Sequence, residues 1–284
     1  MKKLLFSIVL VLVLSSCAWS SGHRVGVLEK LGVTAENFKR YAVASNDIFV
    51  SSHKEKPEFS FYKSMSDMLM ALEAGKVDEI LLPQPSAEYI LALHPEYSIE
   101  CTIILRHAKA LLAFGFKAGN EELRNAFNDA LKGMKKDGTL WLLKGKYIDN
   151  RNTAMCDEDN LMTTAAIDPV DLPVPIVFRK FDGAREITVA VTGDLPPLDY
   201  IAPDGKPEGF NAAILAEICG RLGLNVKFVN IDSGARAAML SSGRADVVFW
   251  FEYRRGNNGS YDIPEGVIIS EPYYEIDMFF HLSK

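Results

Sequence analysis

The sequence predicts an α/β fold with two lobes, each containing a mainly parallel sheet flanked by helices. A short phrase occurs twice: Ala71–Asp78 and Met239–Asp246 each close an amphipathic stretch with a glycine, a basic residue and an aspartate. An apolar run follows both copies, so each copy predicts a helix, a glycine stop and a strand. Strand-like and helix-like runs also alternate in both halves of the chain, which favours parallel sheets covered by helices. Two similar units predict two lobes with a cleft between them.

Residues 23–106 predict one of these units. Short apolar runs are assigned as strands and amphipathic runs as helices. In chain order they are strand Arg24–Leu28, helix Ala35–Tyr41 with Thr34 as candidate N-cap, strand Phe59–Tyr62, helix Met65–Leu72, strand Glu79–Leu82, helix Ala87–Leu93 with Ser86 as N-cap, and strand Ile99–Leu105.

Residues 107–149 and 184–284 predict the other unit, and residues 150–183 predict a linker. The linker contains three prolines and little periodicity before one edge strand at Ile176–Phe178. The remaining elements are strand Ala110–Lys117, helices Glu121–Lys135 and Leu140–Tyr147, strand Ile187–Val191, helix Phe210–Leu222, strand Val226–Val229, helix Arg236–Leu240, strand Val247–Trp250 and an alternating apolar run at Ile276–Leu282.

The composition excludes several classes of function. Apolar residues make up 48% and charged residues 24% of the chain, as in ordinary globular proteins. The formal net charge is −6 and no basic patch is present, so nucleic acid is not an expected partner. The 5 histidines form no close pair and the 4 cysteines have no metal-site spacing, so neither a metal nor another cofactor is expected.

The first seventeen residues predict a bacterial lipoprotein signal. Lys2 and Lys3 precede an apolar run, and Leu14–Cys17 resembles the lipobox after which a cysteine is lipidated. We therefore expect lipidation at Cys17 and a membrane-anchored protein in the periplasm or at the cell surface. An ordinary secretory signal with a chance cysteine is the alternative. The sequence leaves open whether Cys101 and Cys156 form a disulfide.

A ligand site is expected beyond the carboxyl ends of the strands, where open α/β sheets bind ligands. Hydroxyls and helix N-termini there can hold a carboxylate, and aromatic rings can enclose an apolar or cationic group. Glu252 could pair with an ammonium group and Arg255 with a carboxylate. Alternatively, alternate aromatics face the core, and Glu252 and one of the arginines are solvated. The candidates are Asp194, Tyr200, Trp250, Glu252, Tyr253 and Arg255 from one unit, and Thr34, Tyr62, Gln84 and Ser86 from the other.

The chain resembles the type II periplasmic solute-binding proteins, in particular the family 3 extracellular solute-binding proteins that bind amino acids. The resemblance covers nearly all of the chain after the signal except about residues 150–183. It implies a periplasmic binding protein-like II fold, with two lobes joined by a hinge, and a binding role without catalysis. The motifs that carry it are Ile187–Val191, Pro196-Pro197, Tyr200, Asp204-Gly205, Gly209–Asn211, Gly243–Asp246, Ser270–Tyr274, Val25–Val27, Ala71–Asp78, Ala113–Phe116 and Glu121–Tyr147.

The order of these motifs differs from the family, because the family's opening segment comes last here. Circular permutation explains this order in a single monomeric unit, with residues 23–106 as the second lobe, 107–149 closing the first lobe and 184–284 opening it. Two truncated copies that complete each other across a dimer are the alternative. The sequence also has Pro83 where amino-acid binders carry an aspartate for the ligand ammonium, and Gly256–Asn258 where they carry an arginine.

The resemblance implies a lipid-anchored receptor that captures a small polar ligand, an amino acid or a related compound, for the permease of an ABC-type importer. A ligand-free sensory or scaffold protein is one alternative. A small-acid dehydratase-like enzyme on the same fold is another, although no nucleophile–base pair is evident in the expected cleft loops.

Overall fold

The computed structural model describes residues 24–28, 58–104, 110–149, 176–253, 263–276 and 278–284, with only the backbone described at 100–104, 110, 233, 250–253 and 278. The helices of the described residues are α1 Met65–Glu73, α2 Gln84–Leu93, α3 Glu121–Lys136, α4 Thr139–Lys144, α5 Phe210–Leu222 and α6 Arg236–Ser241. A π-helical turn, Gly145–Asp149, extends α4, and a 3-10 turn, Ser233–Ala235, precedes α6.

The described strands form a five-stranded sheet, a six-stranded sheet and a small three-stranded sheet. Sheet A has the order β2-β1-β3-β14-β4, and sheet B has the order β10-β6-β11-β5-β12, with β13 also paired to β5. The small sheet has the order β7-β8-β9. The predicted α/β fold class, with two mainly parallel sheets flanked by helices, is confirmed. The strands are β1 Arg24–Leu28, β2 Glu58–Tyr62, β3 Glu79–Pro83, β4 Ser98–Ile104, β5 Ala110–Lys117, β6 Glu186–Val191, β7 Asp194–Leu195, β8 Asp199–Ile201, β9 Pro207–Glu208, β10 Asn225–Asn230, β11 Val247–Tyr253, β12 Val267–Ile269, β13 Tyr274–Ile276 and β14 Met278–Ser283.

Sheets A and B have the same connectivity. In sheet A, β1 is parallel to β2 and β3, and β14 runs antiparallel between β3 and β4. In sheet B, β6 is parallel to β10 and β11, and β5 runs antiparallel between β11 and β12. Each sheet therefore takes its antiparallel interior strand from a part of the chain remote from its parallel strands.

The aspartates of the repeated phrase have the same structural role in both sheets. Asp78 accepts from the backbone N–H of Arg24 at 2.8 Å and donates its own N–H to the Arg24 carbonyl, also at 2.8 Å. Asp246 makes the same two contacts with Thr188, both at 2.8 Å. Each aspartate thus joins the start of the third parallel strand to the first parallel strand.

Two short crossovers connect the sheets, and both lie at the carboxyl ends of the parallel strands. In sheet A, Phe279 of β14 pairs with Pro83 at the end of β3. In sheet B, Tyr253 at the end of β11 pairs with Leu111 of β5, and Ile276 of β13 pairs with Ala110. The chain therefore leaves both sheets at the same kind of edge, so the carboxyl edges of the two sheets face each other across the crossovers.

Amphipathic helices cover the sheets. α1 packs on β1 and β3 through buried Met65, Met68, Ala71 and Leu72, which recur at helical spacing. α3 packs on α4, α5 and β12, and the Phe127 ring lies edge-on to Phe114 with a centroid distance of 5.4 Å. Buried side chains from both sheets belong to one connected hydrophobic cluster, and a smaller cluster lies beneath α6.

Three details of the sequence prediction are wrong. The second helix begins at Gln84 with Pro83 as its N-cap, not at Ala87 with Ser86 as its N-cap, because a proline is tolerated in a first helical turn. Residues 176–178 form no strand, and Phe178 packs edge-on to Phe228. The run 276–282 is split between β13 and β14, because the chain crosses there from one sheet to the other.

Several predictions fall outside the described residues. These are the signal in residues 1–17, the helix at 35–41, a disulfide to Cys156 and most of the linker. Among the helices that the structure describes, none is long and apolar enough to cross a membrane.

Candidate functional site

The facing carboxyl edges bring loops and helix starts of both lobes together. On the side of sheet A, α1 begins after β2 and α2 begins directly after β3. On the side of sheet B, the small sheet follows β6 and the 3-10 turn follows β10. α1 lies against β7, so the two edges meet in the folded chain. This is the location that the sequence predicts for a ligand.

The start of α1 is shaped by a reciprocal cap. The Ser64 hydroxyl accepts from the Asp67 backbone N–H at 3.1 Å and donates to the Asp67 carboxylate at 2.8 Å. A serine cap satisfies one of the helix N–H groups that would otherwise lack a partner. Tyr62, one of the candidate residues, is the half-buried last residue of β2 and stands two positions before this cap.

The start of α2 differs because Pro83 offers no side-chain cap. The Gln84 side-chain amide donates to the buried Glu88 carboxylate at 2.8 Å. Ser86 is 0% exposed, and its hydroxyl has no hydrogen-bond partner among the described residues. Gln84 therefore lies at the carboxyl edge with its amide nitrogen engaged, whereas Ser86 lies in the interior at the same edge. The backbone N–H groups of an uncapped first turn can hold an anionic group.

On the other side, the loop after β6 is held by a carboxylate that the sequence analysis did not select. Asp199 is fully buried and accepts from the Thr192 hydroxyl at 2.8 Å and the Gly193 N–H at 3.0 Å. Gly193 has φ +63°, and a Cβ there would lie 2.2 Å from Cγ1 of Ile201. Only glycine fits this turn, so the path of the loop is fixed by Gly193 and Asp199 together.

Asp194 and Tyr200 lie next to each other on the small sheet. Tyr200 pairs with Asp194 on β7 and with Glu208 on β9, so the three side chains share one face. The Tyr200 hydroxyl donates to the Glu208 carboxylate at 3.0 Å. The Glu208 carboxylate is also the second cause, after burial, of the raised pKa of Tyr147. Glu208 therefore interacts both with Tyr200 and with the π-helical turn Gly145–Asp149, which contains Tyr147. The sequence analysis did not select Glu208.

Trp250, Glu252 and Tyr253 lie at the carboxyl end of β11, where the structure describes their backbone. The pairing of β11 with β5 shifts register between Val248 and Phe251. Such an irregularity alters the strict alternation of side chains along a strand. Thr34 and Arg255 lie outside the described residues, and no group of three or more metal-binding side chains occurs among the residues described.

A hydrogen bond joins Tyr273, which directly precedes β13, to the start of α5. Its hydroxyl donates to the buried Asn211 side chain at 3.0 Å, and its ring packs on Phe114 at 4.8 Å. The pair fixes the crossover to the lobe that contains sheet B.

Residues 187–252 match the sequence model of the bacterial extracellular solute-binding proteins, family 3. This segment runs from β6 to the end of β11, which is the part of the chain that resembles the opening of that family. No curated protein sequence matches the chain.

Solved structures with a loose likeness to the chain include a component of an import system and a periplasmic binding protein. A ligand-binding component of an ABC-type import system from Staphylococcus aureus, with zinc bound, has a TM-score of 0.43 at 10% identity, covering 93% of this chain and 66% of that chain. The periplasmic aliphatic sulphonate binding protein from Escherichia coli has a TM-score of 0.37 at 9% identity, covering 93% and 65%. This chain thus spans just under two thirds of the length of each. The sequence match to the solute-binding family therefore concerns residues 187–252, which are one part of the chain.

Proposed function

We propose that the chain is an extracytoplasmic solute receptor whose two lobes close on a small polar ligand. The observation that carries this proposal is that the carboxyl edges of sheets A and B face each other across two short crossovers. Ligands of open α/β sheets bind beyond such edges, so one ligand could contact both lobes. The family match over residues 187–252 supports the same function.

Closure needs no chemistry beyond binding. Two lobes that rotate as rigid bodies would close on a ligand that contacts both of them, because such a ligand favours the closed state. Exclusion of water on closure strengthens each polar contact. The receptor therefore works by a shift in population, without a catalytic residue.

The ligand we propose is an amino acid or a related small polar compound. Uncapped N–H groups at the start of α2 suit a carboxylate, and Gln84 can contribute a neutral polar group. Glu252 would pair with a ligand cation and Arg255 with an anion, while Trp250 and Tyr253 would contribute aromatic surface. Pro83 at the end of β3 replaces the acidic residue expected for an α-ammonium, so the ligand's amino group would be held from the other lobe.

We also propose that the chain is a circularly permuted monomer built from the segments 23–106, 107–149 and 184–284, except that β14, at the end of the last segment, lies in sheet A with the strands of 23–106. Both sheets have the same strand order, and each is completed by a remote strand of the same chain. Leu282 of β14 pairs with Ile80, and Ile80 pairs with Gly26 of β1. The start of β1 and the end of β14 therefore lie at the same edge of sheet A, and they are two strand spacings, or about 10 Å, apart.

A re-joined chain tests the permutation. It would run from Ile176 to Lys284, continue through a short flexible linker to Arg24, and end at Asp149. We expect it to fold as a monomer with the circular dichroism spectrum of the parent chain. An obligate dimer of the parent chain in sedimentation equilibrium, separating only on unfolding, would instead favour two copies that complete each other.

Membrane anchoring completes the proposal. Lipidation at Cys17 would hold the receptor at the membrane, where it could deliver its ligand to the permease of an ABC-type importer. Metabolic labelling with a fatty acid tests this step, because Cys17→Ala should abolish incorporation. Incorporation that persists in the variant would contradict lipidation at this residue.

Thermal-shift measurements on residues 18–284 test the binding function. Amino acids, polyamines and organic acids would be screened, because a ligand at a hundred times its Kd stabilises the folded state by about 2.7 kcal/mol. Trp250→Ala, Glu252→Ala and Gln84→Ala should reduce the shift, whereas Asn125→Ala, an exposed change on α3, should not. The absence of a thermal shift with every class of compound would favour the ligand-free scaffold. A change in the mass of the bound compound would favour an enzyme.

A further inference from the structure

Two large apolar side chains at consecutive positions of α4 are exposed to solvent. Trp141 is 73% exposed and Leu142 is 62% exposed. The other leucines of this helix, Leu140 and Leu143, are half-buried against the main hydrophobic cluster. The helix is therefore held in place by one pair of apolar residues and presents another pair to the outside. Adjacent exposed apolar side chains of this size often mark an interaction surface.

Two adjoining grooves extend this surface. A groove of about 400 Å³ is lined by Trp141, Leu142 and Lys146, and a groove of about 440 Å³ is lined by Lys146, Val177 and Arg179. Val177 is 77% exposed. Because Lys146 lines both grooves, they are continuous. We call the surface formed by Trp141, Leu142, Lys146, Val177 and Arg179 the Trp141 face.

The acidic residues around the Trp141 face are already paired. Asp149 pairs with Lys144 at 3.0 Å, and Arg221 pairs with Asp137 at 2.9 Å and with Glu217 at 2.8 Å. Each of these carboxylates therefore has a cationic partner, although Arg221 serves two of them and the five residues together keep one negative charge.

Two cations on the face have no carboxylate partner among the described residues. The Lys146 ammonium lies 5.2 Å from the centroid of the Tyr147 ring, and the Arg179 side chain lies beside Gly220. Neither forms an ion pair within the part of the chain that the structure describes. The Trp141 face is thus basic and apolar on a chain with a net charge of −6.

We propose that the Trp141 face binds the surface of a bilayer that contains anionic lipids. Tryptophan is suited to the headgroup region, leucine to the acyl boundary beneath it, and lysine and arginine to the lipid phosphates. Contact of this kind is weak and reversible, and it would orient a receptor already held by an anchor.

Co-sedimentation with vesicles tests the proposal on residues 18–284, which lack the acylated cysteine. Binding is expected with equal parts phosphatidylglycerol and phosphatidylcholine, and is expected to fall steeply with pure phosphatidylcholine or at high salt. Trp141→Ala combined with Leu142→Ala, and Lys146→Glu combined with Arg179→Glu, should each lower the partition coefficient about tenfold or more. Met70→Ala and Lys76→Glu, at exposed positions on and after α1, are the matched controls and should leave it unchanged.

Four results would overturn the proposal. Binding that is absent, or that persists in both double variants, would remove the lipid surface as the occupant. Loss of a dimer in the Trp141→Ala and Leu142→Ala variant, seen by sedimentation, would assign the face to a second copy of the chain. A large fall in its thermal midpoint would mean that the face is covered within the chain itself. Ligand binding in the cleft is measured separately, so failure here leaves the receptor function untouched.

Discussion

Replacing His281 by alanine removes one partner of a hydrogen-bonded pair inside sheet A. Nδ1 of His281 lies 2.5 Å from Oε1 of Glu79, with His281 0% and Glu79 1% exposed. The pair joins β14, the strand from the far end of the chain, to β3. His281 also lies among buried Phe280 and Leu282, so β14 is covered on both faces. The substitution therefore tests whether β14 fills this interior position.

The expected cost is large because one partner of a buried polar pair is left behind. Leaving a buried hydrogen-bonding group without its partner costs about 1–3 kcal/mol, against a total stability of about 5–15 kcal/mol for a typical domain. We expect Glu79→Ala to lose a similar amount. Replacing both residues by leucine should recover most of the loss, because apolar side chains of similar volume leave no unpaired group.

Urea unfolding followed by circular dichroism measures these free energies, and His281→Ala, Glu79→Ala and the variant that carries both alanines form a double-mutant cycle. Asp204→Ala breaks an exposed ion pair with Lys206, Nζ–Oδ2 2.6 Å, and serves as the control with little expected change. A loss below about 1 kcal/mol for His281→Ala, with no coupling to Glu79, would refute the placement of β14 between β3 and β4.

Three further predictions concern residues outside this pair. Asp78→Asn and Asp246→Asn should each lower the midpoint of thermal unfolding, and by similar amounts, because the two carboxylates make the same backbone contact in equivalent sheets; a loss at one site alone would contradict that equivalence. Hydrogen bonds from Thr139, together with Arg221, lower the pKa of Asp137 to about 2, so its contribution is present above its ordinary pKa of 3.8 and lost as the pH falls towards 2. The thermal midpoint of Asp137→Asn should therefore fall below that of the parent chain at pH 6 and approach it near pH 2, and a constant difference would contradict this. Burial raises the pKa of Cys219 to about 12, so its thiol should react with a disulfide reagent at pH 8 only after unfolding; reaction in the folded chain would show that it is accessible.

The sequence contained enough local information to predict most elements, but not their partners. The repeated phrase predicts a helix that ends at a glycine, and Gly75 and Gly243 indeed have φ +65° and +71°. Which sheet accepts a strand is decided by contacts between remote residues, so the place of β14 in sheet A could not be predicted from local patterns. The same limit explains why one apolar run was assigned to a single strand although it crosses between sheets.

The candidate site was predicted less fully than the fold. Its location at the carboxyl ends follows from the alternation of strands and helices, and Tyr62, Gln84, Asp194 and Tyr200 do lie on elements at that edge. Asp199 was missed because a buried carboxylate that holds a loop has no sequence pattern of its own. Whether these side chains contact a ligand remains a prediction.

The central claim is that the carboxyl edges of sheets A and B face each other across the two crossovers. Distances between pairs of spin labels measure this directly, in a chain whose remaining cysteines are replaced by alanine. One pair, Ser66→Cys with Asp232→Cys, marks the carboxyl edges, and the other, Lys76→Cys with Glu186→Cys, marks the amino edges. All four positions are exposed.

Each sheet is about 17–20 Å long from its amino edge to its carboxyl edge. If the carboxyl edges face each other, the carboxyl-edge pair is closer than the amino-edge pair by more than about 15 Å, and an added ligand shortens the carboxyl-edge distance further. Equal distances, or a shorter distance between the amino edges, would contradict it.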